Sequence, residues 1–521
     1  MNKQIRQLGI FLTLCYLALF INLNWIQVVN KPTLDEHPEN SRPVQREFNR
    51  PRGAIVSADG VILAQSVETP GGSFDRQRSY PTGDLFGHIT GYFSFLYGSS
   101  GIERQYNDEL AGTTFQQQVQ GLGDLFSDNE LVGNVSLTVR ADLQQVARDA
   151  LGDRQGSVVA LDPRNGEILS MWSNPSFDPN LLASQDTKAE KTSWDLLNLA
   201  PGKPLLGKAF AERYFPGSTF KVVTGSTGLQ TGKVTVDDPS YPVERSWVPP
   251  QTTKPLFNFA GESCGGTLVP ILVNSCNTSF ARMGVETLGP DPMIDGAQKF
   301  GFNSVPPLDL PGAVESTFPT DFTQDLPKLA QASIGQNDVA GSPLQMALVA
   351  AAVANKGSIM TPHLLREVRD SNGNLSKRYD PSEWLRPLDA DKAAVMDSAM
   401  QEVVARGTAT AAQVPGFTVG AKTGTAQIGL EPPRSHTWMI AYAGPPGQPP
   451  TVAVAVVVLD QPGTGDATGG RIAGPIAQRV LQAALTLPPA DQVAAANAAA
   501  AAAATTTTSA APGGVTTTTG R

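Results

Sequence analysis

The 521-residue sequence predicts an α+β protein: a mostly antiparallel, five-stranded sheet packed with helices. Two observations carry that expectation. A hairpin pattern runs through "SVVALDPRNGEILSMWS" from Ser157, and three further strand patterns gather towards the C-terminal end. The stretch between them is largely helical in pattern. An N-terminal β-rich pedestal and a single transmembrane helix complete the expected architecture.

Taken in chain order, the first element is an apolar run from Leu8 to Val29, preceded by Lys3 and Arg6. At about 1.5 Å per residue, its 22 residues are long enough to cross a bilayer. The basic residues on its N-side predict a cytoplasmic stub at residues 1–7 and a membrane protein whose remaining chain lies on the extracellular side. A cleaved signal peptide would need a shorter apolar core and small residues at a cleavage site, and neither precedes Asn30. Leu14 stands before Cys15 where a lipoprotein would need a small residue. The span therefore reads as a single uncleaved anchor.

Residues 30–150 are rich in short strand-like pieces and turns. In "RPRGAIVSADGVILAQS", Ala54–Val56 and Val61–Leu63 flank a turn at Asp59-Gly60, a hairpin signature. "GIERQYNDELAG" follows as a short helical pattern ended by Gly112. This region is expected to be a pedestal or dimerisation-like domain. A larger domain should occupy residues 151–488, with strands at Ser157–Leu161, Glu167–Trp172, Phe417–Gln427, Thr437–Ala443 and Thr451–Leu459. Ser342-Pro343 opens a helix that Gly357 closes, Asp389 opens another that Gly407 closes, and a final helix covers about Ile472–Leu485. From Pro489 the Ala/Thr-rich tail has almost nothing large to bury and is expected to be disordered to residue 521.

Composition narrows the chemistry. A net charge of −9 gives no reason to expect nucleic acid as a partner. Three cysteines and four scattered histidines show no metal-ligand spacing, so neither a metal nor a cofactor is expected. Attention then falls on "FPGSTFKVV", where a Pro-Gly turn runs into Ser218-x-x-Lys221 and an apolar stretch. Ser is a common helix cap, so this motif alone decides nothing. If the helix starts near Ser218, however, Lys221 shares its face one turn on, and the hydroxyl sits where free N–H groups favour negative charge. A serine nucleophile needs a base, and a lysine can serve when burial and a second cation depress its pKa. "GAKTGTA" supplies that cation, Lys422, followed by Thr423, Gly424 and Thr425 on a strand candidate. "NSCNTSF" adds Ser275 and Asn277.

Ser-x-x-Lys, Ser-x-Asn and Lys-Thr-Gly in this order match the signature of penicillin-binding proteins and serine β-lactamases. "RPRGAIVSADG", "GIERQYNDELAG", "DPRNGEILSMWSNPSFDPN", "SIGQNDVAGSPLQMA" and "HTWMIAYAG" extend the likeness. Through them the chain resembles class B penicillin-binding proteins, and among these the penicillin-binding protein A type, over nearly its whole length apart from the tail. It departs near Asp59, where Val56-Ser57 replace an acidic-basic pair of the family pattern.

The resemblance implies the transpeptidase fold shared with serine β-lactamases and a D,D-transpeptidase that cross-links peptidoglycan stem peptides ending in D-Ala-D-Ala. Ser218 would form the acyl-enzyme, with β-lactams acylating the same residue. It implies Lys221 as base, Ser275 as proton relay, Lys422 as electrostatic tuner, and Asn277, Thr423, Gly424 and Thr425 as substrate-binding residues. The backbone N–H groups of Ser218 and Thr425 would form the oxyanion hole. A D,D-carboxypeptidase or a serine β-lactamase shares these motifs; a β-lactam sensor and a structural partner in a wall-synthesis complex are the non-enzymatic alternatives. Residues 30–150 show no resemblance to a glycosyltransferase, so a membrane glycosyltransferase is an expected partner. Cys264 and Cys276, both beyond the anchor, are expected to form a disulfide in an oxidising compartment; the alternative is a buried apolar thiol at Cys276.

Overall fold

The protein is described here by a computed structural model, which covers residues 2–25, 45, 47–114, 117, 132–322, 325–429, 431–463 and 467–508. Two compact units emerge, one from residues 1–51 with 67–77, the other from 52–66 with 78–521. In the first unit, α1 spans Asn2–Asn24. Its stretch Lys3–Asn24 has a mean hydropathy of 1.6 and is fully exposed, so it is long and apolar enough to cross a membrane. The expected stub is continuous with this helix, and residues 26–29 of the expected span lie outside the described residues. Phe48 and Phe74 pack at 5.2 Å between ring centroids within the same unit.

The second unit opens with β1 (Ile55–Val56) and with β2 (Ile62–Glu68) as far as Ser66, antiparallel across the Asp59-Gly60 turn, as the hairpin signature predicts. Gly53 is required just before β1, because a Cβ there would stand 2.0 Å from Gly133 O. Arg52 reaches into the "GIERQYNDELAG" turns. Its Nε donates to Glu103 Oε2 at 2.7 Å, and Arg78 Nε donates to Glu103 Oε1 at 2.6 Å. Burial alone would raise the Glu103 carboxyl, but the two guanidiniums outweigh it and hold the pKa below the usual value.

β3 (Gly133–Leu137) runs parallel to β1 and leads into α2 (Ala141–Leu151). The start of α2 is capped from far away in sequence: buried Asp59 accepts from Ala141 N at 2.8 Å and Asp142 N at 3.2 Å. Ser57 donates to the same carboxylate at 2.6 Å and accepts from Val61 N at 2.9 Å, so it anchors the turn where the family pattern differs.

Next come β4 (Gly156–Leu161), β5 (Ile168–Asn174), α3 (Lys221–Gln230), α4 (Leu268–Val273), α5 (Asn277–Arg282) and α6 (Pro343–Ala354). All twelve residues of α6 are buried, which suits a helix apolar on every side, and Ser342 caps it by accepting from Gln345 N. The chain then makes an excursion. β6 (Leu365–Asp370) pairs antiparallel with β3, and β7 (Leu375–Arg378) pairs with β6, so the pedestal sheet borrows strands from much later in the sequence.

After α7 (Ala390–Arg406) come β8 (Thr418–Gln427), β9 (Arg434–Gly444), β10 (Val452–Pro462) and α8 (Gly469–Thr486). The main sheet has the order β8-β9-β10-β4-β5 with every pair antiparallel, the expected five strands. Val452–Leu459 is buried at every position, as a central strand covered on both faces must be. α6 packs on the β9, β10 and β4 part of the sheet; α8 packs on β9 and β10, and α2 on β5 and α8. α2 thus packs with the main sheet, while residues 365–378 join the sheet of β1 and β3.

Part of the segment expected to be disordered is helical. α9 covers Ala490–Thr508, and residues 509–521 lie outside the described residues. Alanine is the strongest helix former and loses no side-chain entropy, which low complexity alone does not reveal. The helix also has a seat. Arg366 pairs with Asp491 at 2.7 Å, Asn497 Nδ2 donates to Asp59 O at 2.8 Å, and an added Cβ on Gly60 would stand 3.1 Å from Ala494 Cα.

Cys264 and Cys276 are joined, with Cα atoms 5.8 Å apart, and Cys15 is free and exposed on α1. Thiol titration of the unfolded, unreduced chain should count one free thiol, and three after reduction. Replacing both bridge cysteines by Ala should lower stability by roughly 3 kcal/mol in the chain-entropy account of so short a loop, read as a fall in denaturation midpoint.

Candidate active site

The nucleophile turn is built by glycine and held by its neighbours. Gly217 has φ +54°, a left-handed conformation that suits glycine, and its N–H donates to Gly335 O at 2.9 Å. Residues Gly217–Phe220 form a 3₁₀ turn that runs directly into α3, so Ser218 and Lys221 lie one turn apart as expected. Trp438 Nε1 donates to Phe215 O at 2.9 Å, tying the approach to this turn to β9. Phe220 stacks on Phe318 with centroids 5.4 Å apart, fixing the helix from behind. Ser218 itself is partly exposed, whereas Lys221 is fully buried.

Ser275 sits in the break between α4 and α5 with φ +57°, a strained value for a non-glycine residue. The disulfide at Cys276 and the bond from Cys276 N to Ile271 O at 2.9 Å hold that break. The Lys221 amine donates to Ser275 O at 2.6 Å and Asn277 Oδ1 at 2.7 Å, and lies 3.3 Å from Ser275 Oγ. Lys422 Nζ donates to the same Ser275 Oγ at 2.8 Å and to Thr423 O at 3.1 Å. Asn277 is oriented in turn by donating to Phe257 O at 3.0 Å.

Both lysines are fully buried, and among the described residues neither makes a salt bridge. Burial, reinforced by the Lys422 charge, holds Lys221 well below the ordinary lysine pKa. Burial brings Lys422 down to about 7. A lysine amine with so lowered a pKa can act as a general base once it has lost its proton.

The Lys-Thr-Gly segment lies on β8, an edge strand of the main sheet. An edge leaves backbone groups free to pair with an extended ligand. Gly424 faces the nucleophile turn so closely that an added Cβ would stand 2.7 Å from Pro216 O and 3.0 Å from Thr219 Cγ2. Thr423 Oγ1 is 2.7 Å from Thr408 Oγ1, and Thr425 Oγ1 accepts from Gly469 N at 3.2 Å.

The residues singled out in the sequence thus fall on three neighbouring elements, with Lys221, Ser275, Asn277 and Lys422 directly bonded and Gly424 against the Ser218 turn. Thr408, Trp438, Gly335 and Gly469 were not anticipated. Trp438 and Gly335 lay in stretches singled out for other reasons, "HTWMIAYAG" and "SIGQNDVAGSPLQMA". The others act through a backbone group or a single hydroxyl and leave no pattern in sequence. A cavity of about 600 Å³ lined by Phe318, Glu315, Asp321, Lys328 and Asp338 includes none of the lysine and serine residues above.

Gly424→Ala should push β8 away from the Ser218 turn. Covalent labelling by a fluorescent penicillin is expected to slow by ~100-fold or more, as misplacement by about 1 Å does, with little change in melting temperature.

Comparison with known proteins gives the family. The family described as penicillin binding protein transpeptidase domain matches residues 156–482, and the penicillin binding protein A dimerisation domain matches residues 52–135. The peptidoglycan D,D-transpeptidase PbpA of Mycolicibacterium smegmatis is 37% identical over 93% of this chain and 99% of its own. Its namesake in Mycobacterium tuberculosis is 35% identical over 93% and 99%. The solved structure of penicillin-binding protein A from M. tuberculosis as an imipenem acyl-enzyme complex is 35% identical, with a TM-score of 0.77 over 84% of this chain and 99% of that one. A second acyl-enzyme complex, with a cephalosporin, gives a TM-score of 0.78 over 85% and 100%. With its paired lysines on Ser275, its Lys-Thr-Gly edge strand and these likenesses, the chain belongs to the penicillin-binding protein transpeptidase family.

Proposed function

We propose that this chain is a serine D,D-transpeptidase that cross-links peptidoglycan stem peptides through an acyl-enzyme on Ser218. The observation that carries the reading is the pair of buried lysines, unpaired by any described carboxylate, meeting on Ser275 Oγ. A neutral Lys221 has two N–H groups and one lone pair. Its two short bonds use the N–H groups on Ser275 O and Asn277 Oδ1, which leaves the lone pair to take the Ser218 proton.

Ser218 Oγ then attacks the carbonyl of the penultimate D-Ala. The backbone N–H groups of Ser218 and Thr425 receive the developing oxyanion, each donor being typically worth ~10²–10³ in rate. Ser275 passes its proton to the departing D-Ala amine and takes the Ser218 proton back from Lys221, 3.3 Å away, while Lys422 steadies the Ser275 oxygen. The acceptor amine of a neighbouring strand attacks the acyl-enzyme by the same steps reversed. The Asn277 side chain holds the substrate amide. Thr423 and Thr425 hold the terminal carboxylate, and Gly424 lets the ligand backbone lie against β8. β-Lactams enter as acylating analogues of the same peptide.

A transpeptidase rather than a β-lactamase is favoured because, among the described residues, no carboxylate hydrogen-bonds Ser218, Lys221, Ser275 or Lys422 to activate a deacylating water. A long-lived acyl adduct follows. The apolar helix α1 is a candidate membrane anchor. Lys3 and Arg6 on its N-side support a catalytic unit on the extracellular face, as does a disulfide. The pedestal has no resemblance to a glycosyltransferase, so glycan polymerisation is assigned to a membrane partner.

Ser218→Ala should abolish labelling by a fluorescent penicillin without lowering the melting temperature. Labelling at the parental level would overturn the assignment. Intact-protein mass spectrometry of the parent should show a penicilloyl adduct lasting many minutes; rapid loss would move the reading to a β-lactamase.

The lysines should separate by substitution and by pH. Lys221→Arg keeps its proton at every accessible pH and should slow acylation by more than ~100-fold. Lys422→Arg keeps the charge and should retain measurable acylation. In the parent, the rate should fall as pH drops through the lowered pKa of Lys221, because the base becomes protonated. It should also fall as pH rises above about 7, where Lys422 loses its charge. Lys422→Arg should remove that alkaline limb, and a profile unchanged in this variant would refute the role given to Lys422.

A further inference from the structure

We propose that Thr408 is a positioning residue that aims and polarises the Thr423 hydroxyl towards a ligand carboxylate. This rests on the reading of Thr423 as a carboxylate-binding group. Thr408 follows Gly407, which ends α7, and its Oγ1 lies 2.7 Å from Thr423 Oγ1. Thr423 is buried, at 7% exposure, while Thr408 is exposed at the edge of the site.

The backbone around Thr408 is firmly placed. Gly407 N and Ala409 N both donate to Val403 O, at 3.1 and 3.2 Å. Gly470, in the first turn of α8, approaches so closely that an added Cβ would stand 2.5 Å from Thr408 O. A Cβ on Gly407 would stand 2.7 Å from Val273 O. The Thr408 hydroxyl is therefore carried on a loop wedged between two helices.

Proton counting gives the device its direction. A hydroxyl has one proton and two lone pairs, and two hydroxyls in contact share a single proton between them. If Thr408 donates, the Thr423 proton remains to be given to a ligand. If Thr423 donates, its proton is used up and the site keeps only that of Thr425, whose oxygen accepts from Gly469 N. An anionic ligand favours the first arrangement, in which each hydroxyl strengthens the next. A neutral ligand gains nothing from it. Thr408 thus contributes to the preference for a free C-terminal carboxylate over an ester or amide, without itself touching the reacting atoms.

The test uses the full-length protein in detergent micelles. Second-order acylation rates are measured for benzylpenicillin and for its methyl ester, which keeps the reactive ring but lacks the carboxylate, by competition with a fluorescent penicillin. In Thr408→Val, which keeps the shape and loses the hydroxyl, the benzylpenicillin rate should fall roughly tenfold and the ester rate by less than about twofold, the scale of one net hydrogen bond. Thr408→Ser should restore the parental ratio. If Thr408→Val does not fold, the ratio is read on Thr408→Ala instead.

An equal loss for both compounds, no loss for either, or a parent that does not distinguish acid from ester would each overturn the inference. All three outcomes leave acylation at Ser218 standing. A parent that benzylpenicillin does not label at all would instead remove the proposed function, so the two failures are distinguishable.

Discussion

Two buried lysine amines converge on one serine hydroxyl with no described carboxylate between them, and most of the site follows from that constraint. A buried ammonium without a counterion costs several kcal/mol, so burial lowers the pKa of both amines. Lys221 and Lys422 cannot both be charged at short range from Ser275 Oγ without strong repulsion. Both amines are pushed below the ordinary lysine value, Lys221 well below it and Lys422 to about 7. In the proposed mechanism the pair supplies a base and a cation from the same residue type.

Holding this arrangement requires rigid surroundings. Ser275 is kept in a left-handed conformation that costs about 1–3 kcal/mol, and the disulfide, the α4 carbonyls and the two lysines all press against its release. Phe280 lies under the Lys221 amine at 5.6 Å and excludes water from it. On the opposite side, Gly424 and Gly217 allow the edge strand and the nucleophile turn to meet without side chains between them. The cleft is thus narrow because of what is missing from these two residues, and polar because of what is buried behind them.

The same principle of distant groups closing local gaps shapes the pedestal. Glu103 is shared by Arg52 and Arg78, and Asp59 caps a helix that begins more than eighty residues later. The tail helix then lies on the Asp59 turn, where a glycine and a run of alanines let two backbones approach. Strands from residues 365–378 complete the sheet that begins at Ile55. The pedestal sheet and the transpeptidase sheet are therefore threaded through one another, and neither is a simple segment of the chain.

By itself the sequence determined what depends on local pattern or on residue type. The almost continuous Val/Ala run of residues 451–459 specifies a buried strand, Ser342-Pro343 and Asp389 mark helix starts, and the apolar run after Lys3 and Arg6 marks a span. The identities of Ser218, Lys221, Ser275, Asn277 and Lys422 were legible because their chemistry has few substitutes. Only the tertiary structure decided which atoms these residues share. Contacts such as Lys422 with Ser275, Thr408 with Thr423 and Trp438 with Phe215 join positions far apart in the chain, and each uses one hydroxyl or one carbonyl. Likewise, whether a run of alanines forms a helix, and which sheet a strand joins, depends on the surface that receives them. Periodicity and propensity are carried by neighbours in sequence, whereas docking is decided by neighbours in space.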